Sequence, residues 1–175
     1  MSRLMTFVGI DNGVTGSVGV VTETNGSPLS AFFDTPVVKC MSYTKEKQFI
    51  HRIDHKKLCE YLKIHDPDIT EVYIERPMVN PRAFKATQSA LRALEATIIV
   101  MELMGFEYFY IDSKEWQREF FASNIIGHDD MKDASAREGM RLFPNNESFI
   151  TKHGDADGLL IAEWARRKFY GRRSR

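Results

Sequence analysis

Apolar and polar positions alternate along this chain in a way that first predicts strands and later helices. Phe7, Val8, Gly9 and Ile10 form an apolar run that delivers Asp11, and small or polar residues from Asn12 to Ser17 follow at once. This pattern predicts a buried strand ending in a carboxylate, then a tight hairpin. The β-branched stretch Ser17 to Thr22 predicts an antiparallel return. Beyond the turn Asn25-Gly26-Ser27-Pro28, Leu29 to Asp34 predicts a third strand. Pro36 to Gln48 reads as polar and irregular. Asp54 is placed to cap a helix carrying Leu58, Tyr61 and Leu62 on one face, and Asp66-Pro67-Asp68 stops it. Thr70 to Ile74 predicts another strand, which hands over Glu75 just before Arg76 and Pro77.

From Phe84 to Met104 the period changes. Ala86, Ala90, Ala93, Leu94, Thr97, Ile98 and Met101 recur at helical spacing, and Gly105 closes the segment. Phe106 to Ile111 predicts a strand, and Asp112 or Ser113 caps a helix holding Trp116 and Phe120. Ser123 to Asp130 is expected to be a mobile loop, with an exposed and silent His128. Lys132 to Phe143 predicts a helix ended by Pro144, and a last helix starts near Asp155 and runs through Ala165. The order predicts an α/β fold whose mixed five-stranded sheet has three antiparallel strands followed by parallel ones, flanked by helices. One domain over residues 1–170 is expected, with GRRSR at 171–175 a frayed basic tail.

Composition narrows the classes. Lys+Arg and Asp+Glu number 24 each, so net charge announces no polyanion partner. Basic residues nevertheless cluster at 45–57, 82–92 and 166–175, and clustered charge can steer a polyanion even when the total is zero. The two cysteines, Cys40 and Cys59, have no CxxC spacing, so neither a disulfide framework nor a thiolate zinc site is indicated. Neither a signal-peptide pattern nor an apolar run long enough for a membrane span is present, so a cytoplasmic protein is expected.

The candidate chemistry lies in acids. Asp11 and Glu75 each end a strand, and the last helix opens with His153-Gly154-Asp155-Ala156-Asp157-Gly158. Asp11 on its own also suits a turn cap. Were the helix N-terminus packed near those strand ends, Asp157 would join them, and three crowded carboxylates stay ionised only with cations between them. An oxygen-only set suits Mg²⁺ or Mn²⁺, and two ions roughly 4 Å apart support phosphodiester cleavage.

GIDNGVTGS at 9–17, YIERP at 73–77 and the terminal GDADGLLIAEW at 154–164 together resemble the RuvC-like Holliday junction resolvases of the ribonuclease H-like superfamily. The motifs occur in the family's order and span most of the chain. The resemblance implies a ribonuclease H-like fold, a homodimer, and paired Mg²⁺-dependent nicks placed symmetrically in a four-way DNA junction, with Mn²⁺ as substitute. It implies Asp11, Glu75 and Asp157 as catalytic metal ligands. The family's fourth ligand, Asp or His, precedes the last acid by one helical turn, where this chain has Gly154. Two residues compete for the role: His153, which would share a helical face with Asp157 and could bind metal or move a proton, and Asp155, equally suited to capping the helix. The departures from bacterial spacing point to a phage source, and hence to the host cytoplasm.

Candidate DNA contacts follow. Arg76, Arg82 and Lys85 suit phosphates. Phe84 suits either a base-stacking wedge or a core position. Lys132 and Ser135, at helical spacing, suit DNA contact or mere helix decoration. Competing readings are an RNA-processing nuclease of the same superfamily, an actin-like or sugar-kinase-type ATP-binding domain, and a branched-DNA binder without catalysis.

Overall fold

The computed structural model describes residues 4–45 and 47–173. Strands β1 (Thr6–Ile10), β2 (Ser17–Thr22) and β3 (Leu29–Asp34) form the antiparallel meander. The segment read as irregular, Pro36 to Gln48, instead contains strand β4 (Val37–Met41), which pairs with β5 (Phe49–Ile53) just beyond it in a second, two-stranded sheet. Helix α1 (His55–Leu62) follows, N-capped by Asp54, and then β6 (Thr70–Glu75), α2 (Phe84–Met104) and β7 (Glu107–Ile111). Helices α3 (Ser113–Phe120), α4 (His128–Leu142), α5 (Glu147–His153) and α6 (Asp157–Arg173) complete the chain. The main sheet runs β3-β2-β1-β6-β7, with β6 parallel to β1 and β7 parallel to β6. The mixed five-stranded sheet flanked by helices is the architecture expected from the sequence.

Several boundaries differ from expectation. The stretch read as a loop ending at Asp130 gives its last three residues to α4, because Gly127, with a positive φ of 107°, turns the chain directly into the helix. Helix α5 was not foreseen; it is one short segment between Pro144 and the left-handed Gly154. Residues 171–173 continue α6 rather than fraying, and 174–175 of the expected tail lie outside the described residues. Among the described residues no helix is long and apolar enough to cross a membrane.

Both faces of the sheet are covered, which explains why the central strands are apolar throughout. Val8, Ile10, Val72 and Ile74 point to one face and pack with Leu58, Leu62, Val100 and Met101 of α1 and α2. Phe7 and Val21 point to the other, joining Leu160, Ile161 and Trp164 of α6 and Trp116 of α3. Helix α6 sits unusually low on that face. A Cβ on Gly9 or Gly19 would collide with the α6 backbone at Gly158 and Leu159, and one on Gly158 would come within 2.8 Å of the Gly19 nitrogen. Glycine here is a condition for close approach. The seam brings the first residue of α6 down to the strand ends.

Candidate metal and phosphodiester site

Strand register sets the first two acids side by side. Ile10 of β1 pairs with Ile74 of β6, so Asp11 and Glu75 follow in parallel at the carboxyl edge of the sheet. The third acid arrives from the opposite direction. Chain exit from α5 through Gly154, at φ 100°, places Asp155 inward and starts α6 at Asp157. Oxygens of Asp11, Asp155 and Asp157 then lie within 4.8 Å of one another. Glu75 is outside that trio but shares a hydrogen bond with Asp11 and adds its charge to the pocket.

Ser17 joins the two sides. Its carbonyl accepts the Asp11 N–H at 3.0 Å, and its buried hydroxyl accepts the Gly158 N–H at 3.1 Å. Glu75 Oε1 accepts the indole N–H of the fully buried Trp116 at 3.2 Å. Trp116, Ser17 and Asp34 each contact a site residue, yet no sequence signal marks them, because each comes from a distant part of the chain.

The two sequence candidates for a fourth ligand occupy different places. Asp155 belongs to the acid cluster, and its Oδ1 also accepts the Asp157 N–H at 3.4 Å. His153 stands behind it: Nε2 faces Asp155 Oδ1 at 3.4 Å, and Nδ1 faces Asp34 Oδ1 at 2.7 Å. The expectation that His153 shares a helical face with Asp157 fails, since Gly154 breaks the helix between them. With both ring nitrogens turned to carboxylates, His153 stands behind Asp155, outside the trio.

Ser135 also departs from its expected place. It is 1% exposed, donates to Asp157 Oδ1 and accepts the Ala156 N–H at 3.0 Å, so it has no surface to offer DNA. Lys132, half-exposed, lies 3.6 Å from Asp155 Oδ2.

Electrostatics follow from the crowding. Burial, then the charges of Asp157, Glu75 and Asp155, push the Asp11 carboxyl well above the usual range. Burial and the Asp155 charge push Asp157 up to about 7, against the opposing bond from Ser135. Asp155 moves the other way: burial raises it, but the hydrogen bond and charge of His153 outweigh that and hold it below its ordinary value. The bond to Asp155 correspondingly raises His153. A site with oxygen donors only, whose own carboxylates repel one another, fits a hard divalent cation and offers nothing to a soft one.

Beside Asp157 opens a cleft of about 980 Å³, whose lining includes the cations Arg76, Lys114, Arg118 and Lys132, with His128, and the acids Asp112 and Glu115. Arg76 pairs with Asp112 at 3.2 Å and lies over the Tyr110 ring. Lys114 and Arg118 went unnoticed in the sequence, although their i, i+4 spacing on α3 was the available signal. Arg82 and Lys85 flank the start of α2 on the surface. Phe84 is 69% exposed, which removes the core reading for it.

Neither a family model nor a curated protein sequence matches the chain. Solved structures do. T. thermophilus RuvC in complex with a Holliday junction substrate superposes with a TM-score of 0.62 at 17% identity, covering 97% of this chain and 96% of that one. A second Thermus thermophilus RuvC structure gives a TM-score of 0.53, also at 17% identity, covering 97% of each chain. The likeness establishes that the chain has the ribonuclease H-like fold of RuvC.

Proposed function

We propose that a chain with this fold and this acid cluster is a divalent-metal-dependent endonuclease that resolves four-way or related branched DNA junctions by paired, symmetric nicks, acting as a homodimer. The observation that carries the reading is the meeting of Asp11, Asp155 and Asp157, with Glu75 beside Asp11, at one end of the sheet next to a cationic cleft. The junction-bound RuvC neighbour supports the substrate class. DNA recombination and repair in a cytoplasmic compartment are the matching roles.

Asp11, Asp155 and Asp157 would hold the ion directly, with Glu75 available for a second one. Bound Mg²⁺, or Mn²⁺ in its place, supplies water activation and charge stabilisation at the leaving oxygen. The remaining contributions belong to the chain itself. Trp116 fixes one Glu75 oxygen, Ser135 fixes Asp157, and His153 fixes Asp155, so the carboxylates are held in place by hydrogen bonds. Arg76, Lys114, Arg118 and Lys132 offer cations along the cleft to the phosphates flanking the scissile one. Arg82 and Lys85 extend that track, and exposed Phe84 offers a stacking face to an unpaired base.

The test is incubation of a synthetic four-way junction with purified protein in EDTA and in Mg²⁺, mapping nicks on all four strands. Symmetric nicks on opposing strands only in Mg²⁺ are expected. Preferential cutting of structured RNA in the same assay would transfer the activity to RNA processing, and binding without nicks in either buffer would leave a junction-binding module.

A further inference from the structure

The basic run between Lys45 and Arg52 plays no part in the cleft. It belongs to the β4–β5 hairpin, which stands beside the first turns of α2 and encloses a groove of about 520 Å³ with it. Lys45, Lys85 and Arg92 line this groove along with Ser42, Thr44 and Gln88, and among the described residues no carboxylate does. Arg92 is its fixed point. Its Nη1 donates to the Tyr43 hydroxyl at 3.1 Å, its guanidinium lies 5.7 Å from that ring, and its buried Nε has no acceptor. Tyr43 itself is 66% exposed. An arginine held against an exposed aromatic, with a lysine on each wall, presents an ordered cation to an anionic backbone.

The groove is physically tied to the acid cluster. Asn12, which follows Asp11, donates through Nδ2 to the Ala90 carbonyl of α2 at 3.2 Å. From Ala90 back to Lys85 is about 7.5 Å of helix rise, roughly two nucleotide steps of a DNA strand.

We infer that the groove between the β4–β5 hairpin and α2 is a second DNA-backbone site, binding phosphates of the strand that continues beyond the acid cluster. The inference rests on the endonuclease reading above. The occupant is a phosphodiester strand because three cations and two hydroxyls line the groove with no described carboxylate among them, and its apolar lining, Ile50 and the exposed Phe84, offers a base a stacking face.

Lys45→Glu, at an exposed position, tests it, with Arg92→Gln as the second variant and Lys63→Glu, at the opposite end of the sheet, as the control for changed net charge. Junction affinity is measured across a salt series, and Mn²⁺ binding without DNA is measured for each protein. Lys45→Glu is expected to weaken junction binding about tenfold or more and to flatten the slope of log K against log salt by about one. Arg92→Gln shifts both in the same direction, while Mn²⁺ binding and the Lys63→Glu control stay at parental values. Parental affinity and slope in both groove variants, or an equal loss in the Lys63→Glu control, would overturn the groove alone. A parent protein that binds no junction would overturn the endonuclease reading, and the groove with it.

Discussion

The indole N–H of Trp116 reaches across 41 positions of sequence to hold Glu75 Oε1 at 3.2 Å. A buried donor fixed on one oxygen leaves the other free to face Asp11 and the pocket. Trp116→Phe keeps an aromatic ring in the core, at the cost of a small cavity, and deletes the bond. Orienting partners of ligands typically contribute 10–100-fold in metal affinity or activity. The Mg²⁺ concentration giving half-maximal nicking should therefore rise about tenfold, with junction affinity in EDTA unchanged. An unchanged Mg²⁺ requirement would show that Glu75 needs no such support.

Charge crowding separates stability from activity at Asp157. Asp157→Asn keeps an acceptor for Ser135 and removes one of the repelling charges. Nicking should fall to background, and junction binding in EDTA should persist. The metal-free protein should gain about 1–2 kcal/mol after allowance for screening, a rise in Tm of roughly 3–6 °C. Calorimetry in EDTA checks it, and a variant less stable than the parent contradicts the repulsion.

The same crowding sets a pH dependence. Asp11 and Asp157 are raised in the folded state above an unfolded value near 3.9, so the fold holds more protons than the unfolded chain between there and about 7. Stability of the metal-free protein is full below that window and declines as pH rises through it. His153, also raised, adds to the decline, because its contribution is lost as pH climbs through its folded value. Tm in EDTA should thus be lower at pH 8 than at pH 5, and Mg²⁺ should recover more of it at pH 8. Asp157→Asn should flatten the profile; a Tm in EDTA that rises across the interval would reverse the sign claimed here.

The glycine seam yields a packing prediction. Gly19→Ala drives a methyl into the backbone of Gly158 and Leu159, where no flexible side chain can yield. Overpacking of this kind costs about 1–3 kcal/mol, or roughly 3–10 °C in Tm. Because α6 begins with Asp157, Mn²⁺ affinity should fall alongside, which titration on the folded variant will show.

How much of this the sequence revealed follows from which interactions are local. Strands β1, β2, β3 and β6 and the full extent of α2 were readable because their apolar periods run unbroken and Asp11, Glu75 and Gly105 punctuate them. The β4–β5 hairpin was hidden because its two strands are only five residues long, stand mostly exposed apart from the main sheet, and are separated by the polar stretch from Ser42 to Gln48. The grouping of Asp155, and not His153, with Asp11 and Asp157 was illegible because helical spacing does not hold through Gly154, whose backbone is left-handed. The placement of Ser135 against Asp157 depends on α4 packing beside the start of α6, a contact between residues 22 positions apart.

Ser17 grips Asp11 through its carbonyl and the start of α6 through its hydroxyl, so residues near both termini of the described chain are fastened at one point. A nascent chain that has released the meander but not yet α6 from the ribosome has Asp11 in place without Asp157. On the endonuclease reading, activity would therefore wait until the final helix is seated, which ties its timing to the completion of folding.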